Sequence, residues 1–228
     1  MSTLTLVIGN KNYSSWSMRP WVLLAQLGIP FKEVLLKFHS AEWDRDIARY
    51  SPSRQVPVLW RETGGRNEAV WDTLAIVETL HEMFPEMNIW PRDAPARAYA
   101  RSMCAEMHAG FRALRGSMPM NIRASHPGKG FTPEAAGNIR RIESLWAECR
   151  DRFGAGGGFL FGQFCAADAM YAPVVMRFAT YAPPLAATSL GYCEAVRGAP
   201  GVKAWIEGAL EETGFVAEDE PYAQPPAR

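Results

Sequence analysis

Apolar and polar positions alternate from Leu4 to Ile8, then regroup at helical spacing from Trp21 to Leu27, ahead of Gly28 and Pro30. A period of two marks a strand with one buried face, a period near 3.6 marks a helix with one buried stripe, and Gly followed by Pro stops a helix. The chain therefore opens strand, then helix. Phe31 to Lys37 reads as a second strand, and Glu42 to Tyr50 as a polar amphipathic helix ended by Ser51-Pro52. Val56 to Trp60 and Glu68 to Trp71 read as short strands of a hairpin around the turn Glu62 to Asn67, and a helix follows from Thr73 to Phe84. The order βαβαββα predicts a small mixed sheet covered by helices, an α/β arrangement.

Beyond Phe84-Pro85 and Trp90-Pro91 the alternation vanishes. Ala94 to Met118, Pro133 to Phe153, Ala166 to Tyr181 and Val202 to Glu212 carry apolar residues near a 3.6-residue period, which predicts an all-helical second unit. The pattern divides the chain into an α/β unit over residues 1–85, a helical unit over 92–217, and a tail over 218–228. That tail has three prolines and few large apolar residues, so it is expected to fray.

Composition changes this picture little. With 48% hydrophobic residues in 228, the chain can build its core without disulfides or metals. Lys plus Arg (24) balances Asp plus Glu (24), so no global field draws the protein to nucleic acid or an anionic membrane. No stretch has the 18 or so apolar residues of a membrane span, and no leader pattern opens the chain, so a cytoplasmic protein is expected. Four cysteines and four histidines are scattered without metal-binding spacing, and no HExxH, P-loop or GxGxxG occurs; the cysteines read as buried free thiols. No metal is expected.

The segment "NKNYSSWSMRPWVLL" holds the candidate chemistry. Pro20 lacks an N–H and is tolerated only in a helix's opening turn, so the helix begins close to Trp16 to Arg19 and Ser14, Ser15 and Ser17 gather at its N-terminus. Serines there can simply cap the helix. The same positive end can also hold an anion, including a thiolate. A hydroxyl donating to a thiolate contributes roughly 1.5–3 kcal/mol. That lowers a thiol pKa by about one to two units.

Taken together, the SSWSMR helix, Gln55-Val56-Pro57-Val58-Leu59 before the third strand, and Asp72-Thr73 opening the "TLAIVETLHEMF" helix resemble the cytosolic glutathione transferases over nearly the whole chain. The resemblance implies a thioredoxin-like N-terminal domain joined to an all-helical C-terminal domain, with glutathione as co-substrate. It implies a cis peptide bond before Pro57, pairing of the Val56 backbone with the cysteinyl part of glutathione, and a grip on the γ-glutamyl end by Asp72 and Thr73, with Gln55 alongside. "SSWSMR" is similar to the SSCSWR-like run of the zeta class, with Trp16 in place of its cysteine. By position Ser14 would activate the thiolate, with Ser15 as a neighbouring donor; Tyr13 is not at the position that the tyrosine classes use. The segment "GGFLFGQFCAADAMYAPV" is similar to the family's Gly-rich loop and buried helix, with Asp168 structural and Cys165 at the cap in place of Ser or Thr.

The implied activity is attack of the glutathione thiolate on a small electrophile, by conjugation, isomerisation or peroxide reduction. Trp16, Met103, Met107, Phe111 and Met118 are candidate walls of the second-substrate pocket, although a methionine stripe at helical spacing also serves as core. The resemblance further implies a homodimer. A thioredoxin-like redox protein is the weaker rival, because no cysteine stands at the first helix. A non-catalytic binding or regulatory module of the same fold is the stronger one.

Overall fold

A computed structural model describes residues 4–223. Its first half is a four-stranded sheet in the order β2-β1-β3-β4. The strands are β1 (Thr5–Ile8), β2 (Lys32–Leu35), β3 (Val58–Thr63) and β4 (Arg66–Val70). β1 runs parallel to β2, in register from Thr5 with Lys32 to Ile8 with Leu35, and antiparallel to β3, where Leu6 faces Leu59. The parallel step is crossed by helix α1 (Ser15–Gln26); α2 (Ala41–Tyr50) and α3 (Thr73–Met83) complete the half. This is the βαβαββα order that the hydropathy pattern predicts.

Strand ends differ from those expectations. β3 continues through Arg61-Glu62-Thr63, and Gly64-Gly65, both at positive φ, make a two-residue turn where a six-residue one was expected. The outer part of the hairpin is exposed, so no hydrophobic face marks its strands, while two glycines supply the left-handed backbone that a tight hairpin needs.

The second half is helical: α4 (Ala94–Ala109), α5 (Arg112–Ser117), α6 (Pro133–Phe153), α7 (Ala166–Tyr181), α8 (Ala187–Gly198) and α9 (Pro200–Leu210). The expected single helix from Ala94 to Met118 is broken at Gly110-Phe111, where Phe111 takes a left-handed φ of 57°. Leu114 and Met118 remain buried after the break, so the apolar period runs on across it. α8 carries no readable apolar period, because only Ser189, Tyr192, Cys193 and Val196 of its twelve residues are buried.

α1 joins the halves. It packs on α7 and α9, and at Gly201 in α9 an added Cβ would stand 2.9 Å from Val22 O, so only glycine allows the approach. One core runs through both halves, from Leu6 and Val22 to Met170 and Trp205. Buried asparagines stitch the seam: Asn12 Nδ2 donates to Asn121 Oδ1 at 2.8 Å, and Asn12 Oδ1 accepts from Arg123 N at 2.9 Å.

As far as Ala223, the segment expected to fray makes side-chain contacts with the rest of the chain. Tyr222 donates to Ser117 O at 2.7 Å, Tyr13 donates to Glu220 Oε1 at 2.6 Å, and His39 Nε2 lies 2.5 Å from Glu218 Oε1. Side-chain contacts with both halves hold this segment where prolines and weak hydropathy predicted none. Residues 224–228 lie outside the described residues.

Candidate functional site

A cleft of about 1070 Å³ opens between the halves, floored by the N-terminus of α1. Tyr13, Ser14, Ser15, Trp16, Gln55, Val56, Pro57, Asp72 and Thr73 all line it. Met103, Met107, Phe111 and Met118 do not; at 1%, 0%, 7% and 0% exposure they pack in the core. Their helical spacing reflects that burial, which corrects the pocket expectation for these four. The helical half contributes His108, Ala109, Arg112, Arg115, Gly116, Pro119, Met120 and Arg177 instead, and Asp219 enters from the segment after α9.

The serines divide their work. Ser14 is the N-cap of α1: its Oγ accepts from Ser17 N at 3.4 Å and donates to Ser17 Oγ at 2.7 Å, and Ser17 Oγ also accepts from Gly9 N at 3.1 Å. The single hydroxyl hydrogen of Ser14 is thus turned into the protein. Ser15 Oγ accepts from Arg177 Nη2 at 3.3 Å, which leaves its own hydrogen for the cleft. Arg177 is buried in α7 and fixed by Nε to Met118 O (2.9 Å) and Nη1 to Pro173 O (3.2 Å). Burial, with Arg115 nearby, lowers its pKa to about 10, so it stays charged at neutral pH.

Tyr13 points away from this chemistry. Its O–H donates to Glu220, its oxygen accepts from Arg123 Nη2 at 2.9 Å, and burial together with Glu220 raises its pKa. Trp16 stands between two guanidiniums, Arg19 Cζ at 4.1 Å and Arg115 Cζ at 4.8 Å from its ring centre, with the His108 ring edge-on at 5.1 Å.

On the opposite wall the Val56–Pro57 peptide bond is cis, and neither N–H nor C=O of Val56 takes a hydrogen bond within the described chain. Ser51 shapes this loop, its Oγ accepting from Gln55 N at 3.0 Å and donating to Gln55 O at 2.6 Å. Asp72 caps α3 through Leu74 N at 3.2 Å, and its second oxygen lies 2.6 Å from His108 Nε2 of α4. Thr73 is buried, and its hydroxyl donates to Trp16 O at 3.4 Å, tying α3 to α1.

His108, Arg112, Arg115 and Arg177 escaped sequence reasoning because each lies far along the chain from the serines. One signal was available: Arg177 is the lone base in the otherwise apolar run "AMYAPVVMRFATY", and a buried charge calls for a partner.

Away from the cleft, Asp168 is structural. Its carboxylate accepts from Leu160 N (3.0 Å), Cys165 N (2.9 Å) and Tyr192 OH (3.1 Å), while burial raises its pKa to about 6. All four cysteines are free and buried; burial pushes Cys149 and Cys193 up to about 12 and Cys104 and Cys165 well above the usual range, so none is a nucleophile at neutral pH. Among the described residues no helix is long and apolar enough to cross a membrane, and no three His, Cys, Asp or Glu side chains cluster to hold a metal ion.

Two family models match the chain: the glutathione S-transferase N-terminal domain over residues 13–83 and the C-terminal domain over 132–208. The chain belongs to the glutathione S-transferase family, with a thioredoxin-like first half and an all-helical second half. Among solved structures it is similar to a glutathione transferase homologue from Burkholderia GL BGR1 with bound glutathione (21% identity, 91% of this chain and 98% of that one, TM-score 0.67). It is also similar to maleylacetoacetate isomerase from Anaeromyxobacter dehalogenans 2CP-1 with glutathione in its active site (24%, 90% and 94%, TM-score 0.64). A third, glutathione transferase Omega 2S from Trametes versicolor, shares 18% identity over 92% of this chain and 94% of that one, with a TM-score of 0.68. These likenesses concern the fold. No curated protein sequence matches the chain.

Proposed function

We propose that the protein is a glutathione transferase that ionises glutathione at the N-terminus of α1 and directs the thiolate at a small electrophile held against the helical half. The observation that carries this reading is the Ser15 hydroxyl, buried at the cleft floor with its oxygen 3.3 Å from the Arg177 guanidinium and its hydrogen uncommitted. A donor polarised by a cation, at the positive end of a helix, stabilises an anionic sulfur. Ser15 therefore takes the activating role that position would give to Ser14, and Ser14 takes the cap expected of Ser17.

The remaining contacts follow from the fold. The free Val56 N–H and C=O suit the two backbone groups of the cysteinyl residue, as pairing along a strand edge would. Asp72 and the N-terminus of α3 face the γ-glutamyl group, the carboxylate toward the ammonium and the helix N–H groups toward the acid. Gln55 and Pro57 border the same groove. Glutathione bound in the Burkholderia and Anaeromyxobacter structures supports its choice as co-substrate. Conjugation, isomerisation and peroxide reduction all begin from the same thiolate.

Calorimetric titration with glutathione tests the reading: saturable binding near one equivalent per chain supports it, and no binding at millimolar glutathione defeats it. Saturable binding with no turnover of any electrophile would instead make the protein a non-catalytic module of this fold. Assembly into a two-fold dimer belongs to the same proposal, and sedimentation equilibrium checks it.

A further inference from the structure

Three guanidiniums lie close together beside the cleft, Arg115 and Arg177 lining it and Arg19 buried nearby. Arg19 and Arg177 are 1% and 4% exposed, and Arg115 is half-buried between them and the opening. Their hydrogen-bond partners are carbonyls and one hydroxyl: Arg19 Nε donates to Met170 O, Arg115 Nη1 to His108 O and Gly110 O, and Arg177 to Met118 O, Pro173 O and Ser15 Oγ. None of the three stands in an ion pair among the described residues, and Arg19 Nη1 is buried with no partner. The charges oppose one another: burial first, then the nearby Arg177 and Arg115, lower the pKa of Arg19 to about 9.

Stacking on Trp16 offsets some of this cost, but a cation–π contact contributes about 0.5–2 kcal/mol while an uncompensated buried ion costs several. Two carboxylates face the same space. Asp72 is held by His108, and Asp219, whose pKa burial raises to about 6, is still ionised at neutral pH and offsets part of the Arg177 charge. The helical wall itself brings Arg112, Arg115 and Arg177 and no acid. The charge left over is positive, and it lies across the cleft from Val56 and the α3 N-terminus, where the proposed function places the body of glutathione.

We propose that the helical wall recognises an anionic group on the second substrate, a carboxylate or comparable acid seated on the Arg115 fork with Arg177 behind it, so that the favoured electrophiles are themselves acids. This rests on the glutathione reading above. A planar fork with two parallel N–H groups matches a carboxylate, whereas a purely apolar second-substrate site has no use for it.

The test measures binding rather than turnover. S-(4-carboxybenzyl)glutathione and S-(4-carbamoylbenzyl)glutathione differ only in the charge of one nearly isosteric group, and each is titrated calorimetrically into the intact protein beside glutathione itself. The carboxylate is expected to bind at least tenfold tighter than the amide. That preference is expected to fall to within threefold in Arg115→Gln and to persist in Arg115→Lys, which keeps the charge. Equal binding of the two analogues, with glutathione still bound, overturns the anion site and leaves the glutathione reading standing. A preference unchanged in Arg115→Gln overturns the assignment to Arg115. No binding of glutathione or of either analogue defeats the glutathione reading and this proposal with it.

Discussion

Replacing Ser15 by alanine isolates the hydroxyl assigned to the thiolate. Its hydrogen has no partner among the described residues, whereas Ser14 donates to Ser17 at 2.7 Å. A hydrogen bond to a charged sulfur contributes about 1.5–3 kcal/mol. At 1.36 kcal/mol per unit this lowers the thiol pKa by roughly one to two units, from about 8.5 to about 6.5–7.5. The helix terminus alone supplies about 0.3–1 kcal/mol, less than one unit, and survives the substitution. Removing a donor to the charged form raises the pKa of the bound thiol. Turnover of a simple aryl chloride near pH 6.5 is then expected to fall about ten- to fiftyfold, and near pH 10, where both thiols are ionised, to stay within about threefold. Ultraviolet absorbance of the bound thiolate, titrated with pH, reads the same shift without turnover. An unchanged titration in Ser15→Ala, with the shift found in Ser14→Ala instead, would refute the division of labour between the two serines.

Ser14→Ala removes the α1 cap and is expected to lower stability by about 1 kcal/mol in urea unfolding while leaving the thiol titration in place. Tyr13→Phe is likewise expected to leave that titration unmoved, because its hydroxyl is committed to Glu220; hydrogen exchange should quicken across the segment around Glu220 that it holds. Asp168 carries a pH dependence of opposite sign to an ion-paired carboxylate. Its folded pKa, about 6, lies above the ordinary 3.8, so its contribution is complete below the lower value and is lost as pH rises through the higher one. The unfolding free energy of the wild type minus that of Asp168→Asn is therefore expected to drop by roughly 2 kcal/mol between about pH 4 and pH 7. A difference that stays flat over that range would mean that the carboxyl is not desolvated in the fold.

The elements legible in the sequence were those whose burial is one-sided and whose ends carry punctuation. Ser14 and Gly28 bracket α1, and Thr132-Pro133 opens α6 as cap and first residue; Pro20, expected in the opening turn of α1, lies one turn further inside because the helix already starts at Ser15. The hairpin tip and α8 were illegible because their pattern of burial is too sparse to set a period. The break at Phe111 was hidden for the opposite reason, since buried residues continue on both sides of it. In the site, the residues proposed to face glutathione sit beside strand ends and helix starts, where local chemistry is visible. The arginines become neighbours only through tertiary packing, with Arg177 reaching across 162 positions to Ser15.

The shared interior has a consequence for how the chain can be divided. The connection between α3 and α4 is an easy place to cut, but α1 is wedged between its own sheet and the helices α7 and α9, and Gly201 has given up its side chain to let it in. Severing the connection would leave each fragment holding one face of a largely apolar seam. The fragments are expected to aggregate when produced separately and to become soluble only when produced together. For the same reason a helical half borrowed from a relative would serve here only if it came with the groove into which this α1 fits.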